Sequence, residues 1–514
     1  MNTLDYTKKV LKRFAKPKFA GEIKNADAIG QVGNAACLLP EEKIWINGEL
    51  KSIKDSKKYD KVISHEAKEE NVMQAVSRDY MGNINILKNC LGSIGVTPEH
   101  LIYAIKIPKT NKYLRTRNKK KLIASWHHAG NLEKRDIVLY PILKNENDVK
   151  FLEINIPKLK FDHKSKEIPN KIPINDELLR LFGYFLAEGN IQEKITNVRV
   201  SFALHLKEKD IAEDIKNIVS KLFTLETKIT EKPEAHGLVV TLNSVKVARW
   251  FKSLFGNGAK NKKIPEILMN LPIEKQKALI YGLWKGDGYI NLDRIGPRAG
   301  YSTISYNLVQ QIKILLIRQK IVPSYYVEKE KIVKGVRHQE SYRIHVGQRE
   351  SLIRLSKILN QTYNPKSYGA IDSWFDENYL YTPITQIQKL DYSGKVHNLE
   401  VENAHSFISE AFTPHNCGDI MRVYLKIAKN KKGEDYIKDV KFKTMGCVAA
   451  IASSDAVCEL AKGKTLKEAL KINKKDILNE VGSLPQVKHH CSILGEEALL
   501  KAIEDYENKK SKSK

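Results

Sequence analysis

Cysteine is scarce in this chain, six in 514 residues. A disulfide scaffold needs far more. The protein therefore reads as one of a reducing cytoplasm, where a placed thiol is a ligand, a nucleophile or a small core residue. Long apolar runs are missing too. No stretch approaches the roughly 18 apolar residues that span a bilayer, so no membrane partner is expected. The opening MNTLDYTKKVLKRF is charged at every turn and does not read as a secretory signal. Acid is in deficit: 60 Asp and Glu face 87 Lys and Arg, a net charge of +27. The hydrophobic share of 42% excludes global disorder. The length exceeds one domain and suits about three.

The positive charge is unevenly spread. Residues 241–370 sum to +15 and residues 161–240 to −1. The run KIPKTNKYLRTRNKKK, residues 106–121, has eight Lys or Arg and no acid. Such blocks suit a nucleic-acid surface, although a solvated lysine-rich face has the same look. Along the chain the texture changes several times. An amphipathic stretch, Tyr6 to Phe14, opens it. Short β-type runs follow between Cys37 and Pro157: KIWING, GSIGV, LIYAIKI and DIVLYPIL. From about Pro169 to Leu359, helical patterns (ELLRLFGYFLAE, KQKALIYGLWKG, YNLVQQIKILLIRQK) alternate with strand patterns (NVRVSFAL, HGLVVTLN, YRIHVG). A helix ending in a small residue, an acid and Gly, then strands, occurs twice, which suggests an internal duplication. From Ile384 to Thr413 the β texture returns in KVHNLEVE and HSFISEAF. After Cys417 the chain reads as helical and lysine-rich. The order is that of a domain within a domain within a third.

Joined end to end, residues 1–36 and 417–514 carry three cysteine blocks: CGDIMRVYLKI, FKTMGCVAAIASSD and LPQVKHHCSIL. Cys417, Cys447 and Cys491 are three thiols, and Asp419 or His490 can complete four ligands. Soft sulfur donors suit iron–sulfur clusters or Zn²⁺. Cys458 and Cys90 read as core residues. The joined segments resemble the IscU/NifU-type iron–sulfur cluster scaffolds over nearly their whole length. That resemblance implies cluster ligation by Cys417, Cys447 and Cys491. It makes Asp419 the weak oxygen ligand that keeps the cluster transferable, and puts His490 beside the site. A cysteine desulfurase and recipient proteins are the partners it implies, with a DnaK-type chaperone as a further one. The family's Leu-Pro-Pro-Val-Lys segment is Leu484-Pro485-Gln486-Val487-Lys488 here.

The gap between those halves begins with Cys37 and ends His415-Asn416, with Cys417 next. A thiol at the first position can attack the Ala36 carbonyl and turn an amide into a thioester. A second thiol, Cys417, can take the acyl group by exchange. A terminal Asn can cyclise on its own carbonyl and cut the branch free. These boundaries resemble an intein. The block Thr97-Pro98-Glu99-His100 resembles the intein block that polarises the upstream amide, which implies that role for Thr97 and His100. VHNLEVENAHSFI, residues 396–408, resembles the block before the downstream junction, which implies that His405 assists Asn416 cyclisation and that His415 orients or protonates the junction. The family's Asp is Asn398 here, which keeps hydrogen bonding but carries no charge.

Within that gap, FGYFLAEGN (182–190) and YGLWKGDGY (281–289) pair small residues four apart, Gly183 with Ala187 and Gly282 with Gly286, each pair on one helical face. Helices packed there would bring Glu188 and Asp287 together. Two adjacent carboxylates can hold a divalent cation such as Mg²⁺, which activates water. The motifs resemble those of LAGLIDADG homing endonucleases. The resemblance implies double-stranded DNA as substrate and a catalytic lysine at Lys262, with Lys263 the alternative.

The expected fold is multidomain. A split α+β scaffold (1–36 and 417–514) is interrupted by an all-β Hint-type splicing domain (37–160 and 371–416). An α/β LAGLIDADG endonuclease with a pseudo-twofold repeat (161–370) interrupts that in turn. The expected function is a precursor that splices itself into an iron–sulfur scaffold and releases a DNA endonuclease; splicing itself needs no cofactor. The alternative is a splicing-inactive endonuclease whose outer domain binds Zn²⁺.

Overall fold

The computed structural model describes residues 6–33, 36–107, 123–157, 166–194, 197–293, 296–333, 336–365, 372–416, 420–482, 484 and 490–512. Buried apolar side chains gather in three large clusters and two small ones. Among the described residues no helix is long and apolar enough to cross a membrane.

The outermost layer is built from both ends of the chain. Strand Ala28–Gly33 lies antiparallel to Ile420–Lys429, which pairs in turn with Asp435–Met445. Two segments separated by the whole insert thus share one sheet. Helix His490–Lys512 packs on it at Gly30, where a Cβ would sit 2.1 Å from the Ala498 oxygen. Only glycine admits backbone this close. The first helix, Lys8–Ala15, is tied to helix Val448–Ala461 by Arg13, which meets Asp455 at 2.8 Å and Glu459 at 2.6 Å. Asp455 is buried and also accepts from the Lys18 and Phe19 amides, as a carboxylate at such depth must. The hairpin of residues 420–445 corrects the helical reading of the chain after Cys417. Met421, Val423 and Leu425 alternate with period two and fill the core, while Arg422, Tyr424 and Lys426 take the other face.

The second layer is all β. One sheet orders strands Gln386–Val401, Glu69–Asn89, Lys61–Ile63, Lys43–Ile46 and Glu49–Ser52, with Gly92–Val96 added against Glu69–Asn89. The other orders Trp374–Phe375, Tyr379–Pro383, Ile137–Pro141, Leu101–Ile105 and Ser125–His128. Gln386–Val401 and Glu69–Asn89 form a long ribbon from Gln386 opposite Lys88 to Val401 opposite Val72. HSFISEAF forms no strand, contrary to its texture; it makes single bridges at Ser406 and Ser409. His405, at φ +47°, has a left-handed backbone that no strand can carry. Most of the basic run 106–121 falls outside the described residues.

The innermost layer repeats one pattern. Helix Asp176–Glu188 precedes a four-stranded antiparallel sheet ordered Gly189–Lys194, Asn197–His205, Gly237–Leu242, Thr227–Lys232. Helix Ile273–Asp287 precedes another ordered Gly288–Asn291, Arg298–Thr303, Ser341–Val346, Ser324–Glu328. The two helices meet backbone to backbone. A Cβ on Gly183 would lie 2.5 Å from the Leu279 oxygen, and one on Gly282 would lie 2.3 Å from the Arg180 oxygen. Asn175 caps the first helix, its Oδ1 accepting from the Leu178 amide at 2.9 Å. This core draws in Leu152 and Ile154, before residue 161. Conversely, Ile314, Ile317 and Val322 pack into the core of the β layer.

Candidate functional site

Three clusters of reactive side chains fall in the three layers. The first surrounds the Ala36–Cys37 peptide, where both residues are buried. Leu38 exchanges backbone hydrogen bonds with His397, at 2.7 and 2.9 Å, and so fixes the chain just after Cys37. The Ala36 carbonyl accepts from Asn398 Nδ2 at 2.6 Å. Asn398 Oδ1 accepts from the Leu399 amide at 2.8 Å, which sets the carboxamide's orientation. The Cys37 amide donates to Thr97 Oγ1 at 3.1 Å, and the Thr97 amide returns a bond to the Cys37 carbonyl at 3.0 Å. Burial pushes the Cys37 thiol up, and the Arg78 guanidinium, with Nε 3.5 Å from Sγ, opposes that shift. The His100 ring is fully buried beside the Ala36 backbone, with neither ring nitrogen in good hydrogen-bond geometry. Burial lowers its pKa to about 3, so the imidazole is neutral at pH 7. An amide donor on a carbonyl oxygen, beside a thiol, is an arrangement for acyl transfer.

The second junction lies in an irregular segment held against strands of the same β layer. The His415 amide donates to the Leu101 carbonyl and the Asn416 amide to the His405 carbonyl, each at 2.9 Å. The Asn416 carboxamide is satisfied with its oxygen on the Val401 amide, 2.6 Å, and its nitrogen on the His405 carbonyl. The rings of His405 and His415 have centroids 6.5 Å apart, and Trp126 packs edge-on against His415 at 4.6 Å. Cys417 lies outside the described residues. Each junction also has one residue that the motifs did not single out, Arg78 at the Cys37 sulfur and His65 beside Ser406 of the downstream segment. His65 Nδ1 is 2.7 Å from Ser406 Oγ, and its ring packs on Trp126 at 5.3 Å. His65 falls in SHEAKEEN with no neighbouring signal, and Arg78 is one charged residue of a 21-residue strand.

The third cluster sits where the paired helices end. Burial, then the charge of Asp287, raises the Glu188 pKa to about 7; Asp287 is raised as well, chiefly by burial. Lys262 joins them, 6% exposed, its Nζ 2.8 Å from the Ala187 carbonyl. Burial lowers its pKa to about 8 against the pull of both acids. Lys263 instead bonds Glu49 of the β layer at 2.7 Å, so Lys262 is the lysine at the carboxylates. Two oxygen donors at the mouth of the helix pair, Glu188 half-buried and Asp287 more open to solvent, whose pKa values are both raised, suit a hard divalent cation that relieves the cost of charging them. Among the described residues no group of three or more His, Cys, Asp or Glu gathers as a metal site.

In the outer layer Cys447 Sγ and Cys491 Sγ lie 3.7 Å apart. Cys447 caps helix Val448–Ala461, and Cys491 opens helix His490–Lys512. Asp419 falls outside the described residues, as does the His490 side chain. Cys458 is fully buried, and Cys90 Sγ is 3.1 Å from Thr382 Oγ1; neither joins the thiol pair.

Comparison with known proteins adds two family matches. Residues 393–513 match the NifU-like N terminal domain, and residues 175–256 and 274–360 match the LAGLIDADG-like domain. An uncharacterized protein of Methanocaldococcus jannaschii is 30% identical over 425 residues, covering 76% of this chain and 51% of its own. The ATP-dependent DNA helicase Hel308 of Thermococcus kodakarensis is 26% identical over 419 residues, covering 75% and 36%. The iron–sulfur cluster assembly scaffold protein IscU 1 of Archaeoglobus fulgidus is 48% identical over 96 residues, covering 19% and 60%. The chain thus spans from about a third to less than two thirds of these relatives' lengths. A solved structure of variants of the homing endonuclease I-DmoI aligns over 37% of this chain and 99% of its own, with 14% identity and a TM-score of 0.29. The chain therefore carries a NifU-like N-terminal domain of the IscU/NifU kind together with a LAGLIDADG-like domain that precedes it in the sequence.

Proposed function

We propose that this chain is a cytoplasmic precursor that excises residues 37–416 and joins Ala36 to Cys417. The ligated product is an iron–sulfur cluster scaffold, and the excised piece is a DNA endonuclease. The observation that carries the splicing reading is the Asn398 amide on the Ala36 carbonyl, 2.6 Å away, on the strand that leads to His405 and Asn416. The comparisons support it from another side. The helicase match covers 75% of this chain, close to the 380 residues of 514 between the junctions. That share far exceeds the scaffold portion, so the matching element recurs beside an unrelated partner.

The steps follow from the chain's own groups. Cys37 Sγ attacks the Ala36 carbonyl carbon; the C–N bond breaks and the thiol proton ends on the Cys37 nitrogen. Asn398 Nδ2 stabilises the negative charge on the Ala36 oxygen as the tetrahedral centre forms. Thr97 holds the scissile amide, and neutral His100 is available beside it to carry a proton to the leaving nitrogen. The Cys417 thiol takes the acyl group, giving a branch. Asn416 Nδ2 then attacks its own carbonyl carbon and closes a ring, releasing the Cys417 amine, with His405 and His415 at the junction to move its protons. The acyl group passes from sulfur to that amine. Cys417 is then free for its second task, as a cluster ligand with Cys447 and Cys491. Asp419 and His490 serve beside them, and the iron–sulfur cluster is the scaffold's cargo. A cysteine desulfurase supplies sulfur in this reading, and recipient proteins take the cluster.

For the inner layer, Glu188 and Asp287 would hold Mg²⁺, which supplies water activation and charge neutralisation in phosphodiester hydrolysis. Lys262, with its lowered pKa, positions or protonates at the scissile phosphate. The basic half, +15 over residues 241–370, gives double-stranded DNA its phosphate contacts.

Intact mass of freshly expressed chain tests the splicing reading. It should give a piece of roughly 43 kDa, the insert's share of 58.6 kDa, and a ligated 134-residue product. A single 58.6 kDa species that persists would refute it. Asp287→Ala should abolish DNA cleavage and leave splicing unchanged; loss of splicing in that variant would show that the two activities share a site.

A further inference from the structure

The helix Tyr306–Arg318 belongs by topology to the second half of the LAGLIDADG domain. Its packing belongs partly elsewhere. Ile314 and Ile317 lie in the core of the β layer. Between them and the helix start, three polar side chains reach into that layer and converge on one residue, Glu410. Tyr306 Oη donates to the Glu410 carboxylate at 3.0 Å, and Gln310 Nε2 donates to its other oxygen at 2.5 Å. Lys313, fully buried, donates to the Glu410 carbonyl at 2.7 Å and to the Leu91 carbonyl at 3.0 Å. A buried ammonium is costly unless its donors are used, so this contact is built and not incidental.

Glu410 stands in the turn that returns the chain to the downstream junction. Ser409 Oγ donates to the Phe412 carbonyl at 3.0 Å, and the Phe412 amide donates back to Ser409 Oγ at 3.0 Å, closing the turn. From there the chain has no slack. Thr413 Oγ1 donates to the Leu139 carbonyl at 2.8 Å, and the Tyr103 amide donates to the Thr413 carbonyl at 3.0 Å. Pro414 bridges Ile102, and then come the His415 and Asn416 bonds already described. The Glu410 turn and Asn416 are therefore the two ends of one short segment that is hydrogen-bonded to the β layer along its length, and the turn helps to fix how that segment is seated. Cyclisation needs the Asn416 amide nitrogen close to its own carbonyl carbon, and small misplacements of reacting groups cost rate steeply.

We propose that Tyr306, Gln310 and Lys313 are positioning residues for the downstream junction: an element of the DNA-cutting layer clamps the Glu410 turn and so sets the geometry in which Asn416 cyclises. This rests on the splicing reading above. It also makes the inserted LAGLIDADG domain part of the splicing machinery, through this helix and independently of Glu188 and Asp287.

The test uses the full chain and follows two products by mass: upstream cleavage induced by added thiol, and release of the C-terminal segment. Lys313→Met keeps the volume and removes the two donors; Tyr306→Phe removes one hydroxyl. Lys313→Met should slow C-terminal release about tenfold or more, and Tyr306→Phe by a smaller factor. Thiol-induced upstream cleavage should stay within about twofold in both, and Lys313→Arg should recover part of the loss. A variant that merely misfolds loses both steps together; Tyr306→Phe, which takes away no packing, then decides the matter. If wild type splices and neither variant separates the two steps, the clamp is overturned. If wild type does not splice, the splicing reading itself fails, which is a different result.

Discussion

The two ends of the insert are gripped differently. At the upstream end, side chains reach the Ala36–Cys37 peptide directly: Asn398 on the Ala36 oxygen, Thr97 on the Cys37 amide, Arg78 at the sulfur. At the downstream end no neighbouring side chain bonds the junction's backbone among the contacts described: Leu101 and His405 carbonyls take the His415 and Asn416 amides, and the Asn416 carboxamide is itself held by the Val401 and His405 backbone. A side-chain grip can be cut one residue at a time without breaking a strand. A backbone grip cannot. Upstream chemistry should therefore come apart residue by residue, while the downstream step responds to displacement of the whole segment, as at the Glu410 turn.

The sharpest break in that comparison is Cys37→Ala. Ligated product should vanish entirely, since no thioester can form, while C-terminal release continues, because Asn416 cyclises on its own atoms. Mass spectrometry of the products decides it; any ligated scaffold from this variant would remove Cys37 from the mechanism.

Asn398 comes next. Asn398→Ala should slow thiol-induced upstream cleavage about 10²-fold, as loss of an oxyanion donor does, with C-terminal release unchanged. The informative variant is Asn398→Asp, which restores the residue the intein pattern leads one to expect. An ionised carboxylate has no proton to give the Ala36 oxygen, so this change should also slow the upstream step. An upstream rate faster than wild type would show that Asn398 is not a donor here.

His100 gives a pH signature. Its folded pKa, about 3, lies below the ordinary value near 6.5. The unfolded chain then binds the extra proton between those values, so stability is full above about pH 6.5 and falls as pH drops. From pH 6.5 to 5 the loss is about 2 kcal/mol at 1.36 kcal/mol per unit. Chemical denaturation of the Cys37→Ala chain, with and without His100→Phe, should show this slope only where His100 is present.

How much of this was legible beforehand depends on what each residue must do. Gly183 and Gly282 stand out because two helices can touch backbone to backbone only through small residues at that spacing. Cys37, Asn416 and Cys417 stand out because the proposed chemistry needs a nucleophile at each junction and a side-chain amide that can cyclise, and few residue types supply them. The hairpin 420–445 was hidden: its lysines and arginine resemble those of an amphipathic helix, and the strand it needs as a partner, Ala28–Gly33, lies on the far side of the insert. Lys313 was hidden for a related reason. A lysine in YNLVQQIKILLIRQK reads as the polar face of a helix, and only the placement of that helix between two cores buries it. Asn398 was visible as a departure from the family's pattern, but its use as a donor depends on the register that sets it opposite Val76, on the ribbon beside Ala36.

Arg78 tests the smallest effect and the finest point of the comparison. Its strand register, opposite Val396, brings the guanidinium to the Cys37 sulfur, where it offsets part of the cost of burying a thiolate. Removing it should raise the thiol pKa and leave the junction's hydrogen bonds in place. Arg78→Met should therefore shift the pH profile of thiol-induced upstream cleavage toward higher pH and slow it a few-fold at pH 7. Arg78→Lys, which keeps the charge but not the planar donor, should fall between. The downstream step has no stake in the Cys37 sulfur. If C-terminal release slowed as much as upstream cleavage, Arg78 would be bracing the shared ribbon and not tuning the thiol, and the two junctions would be less separable than their different grips imply.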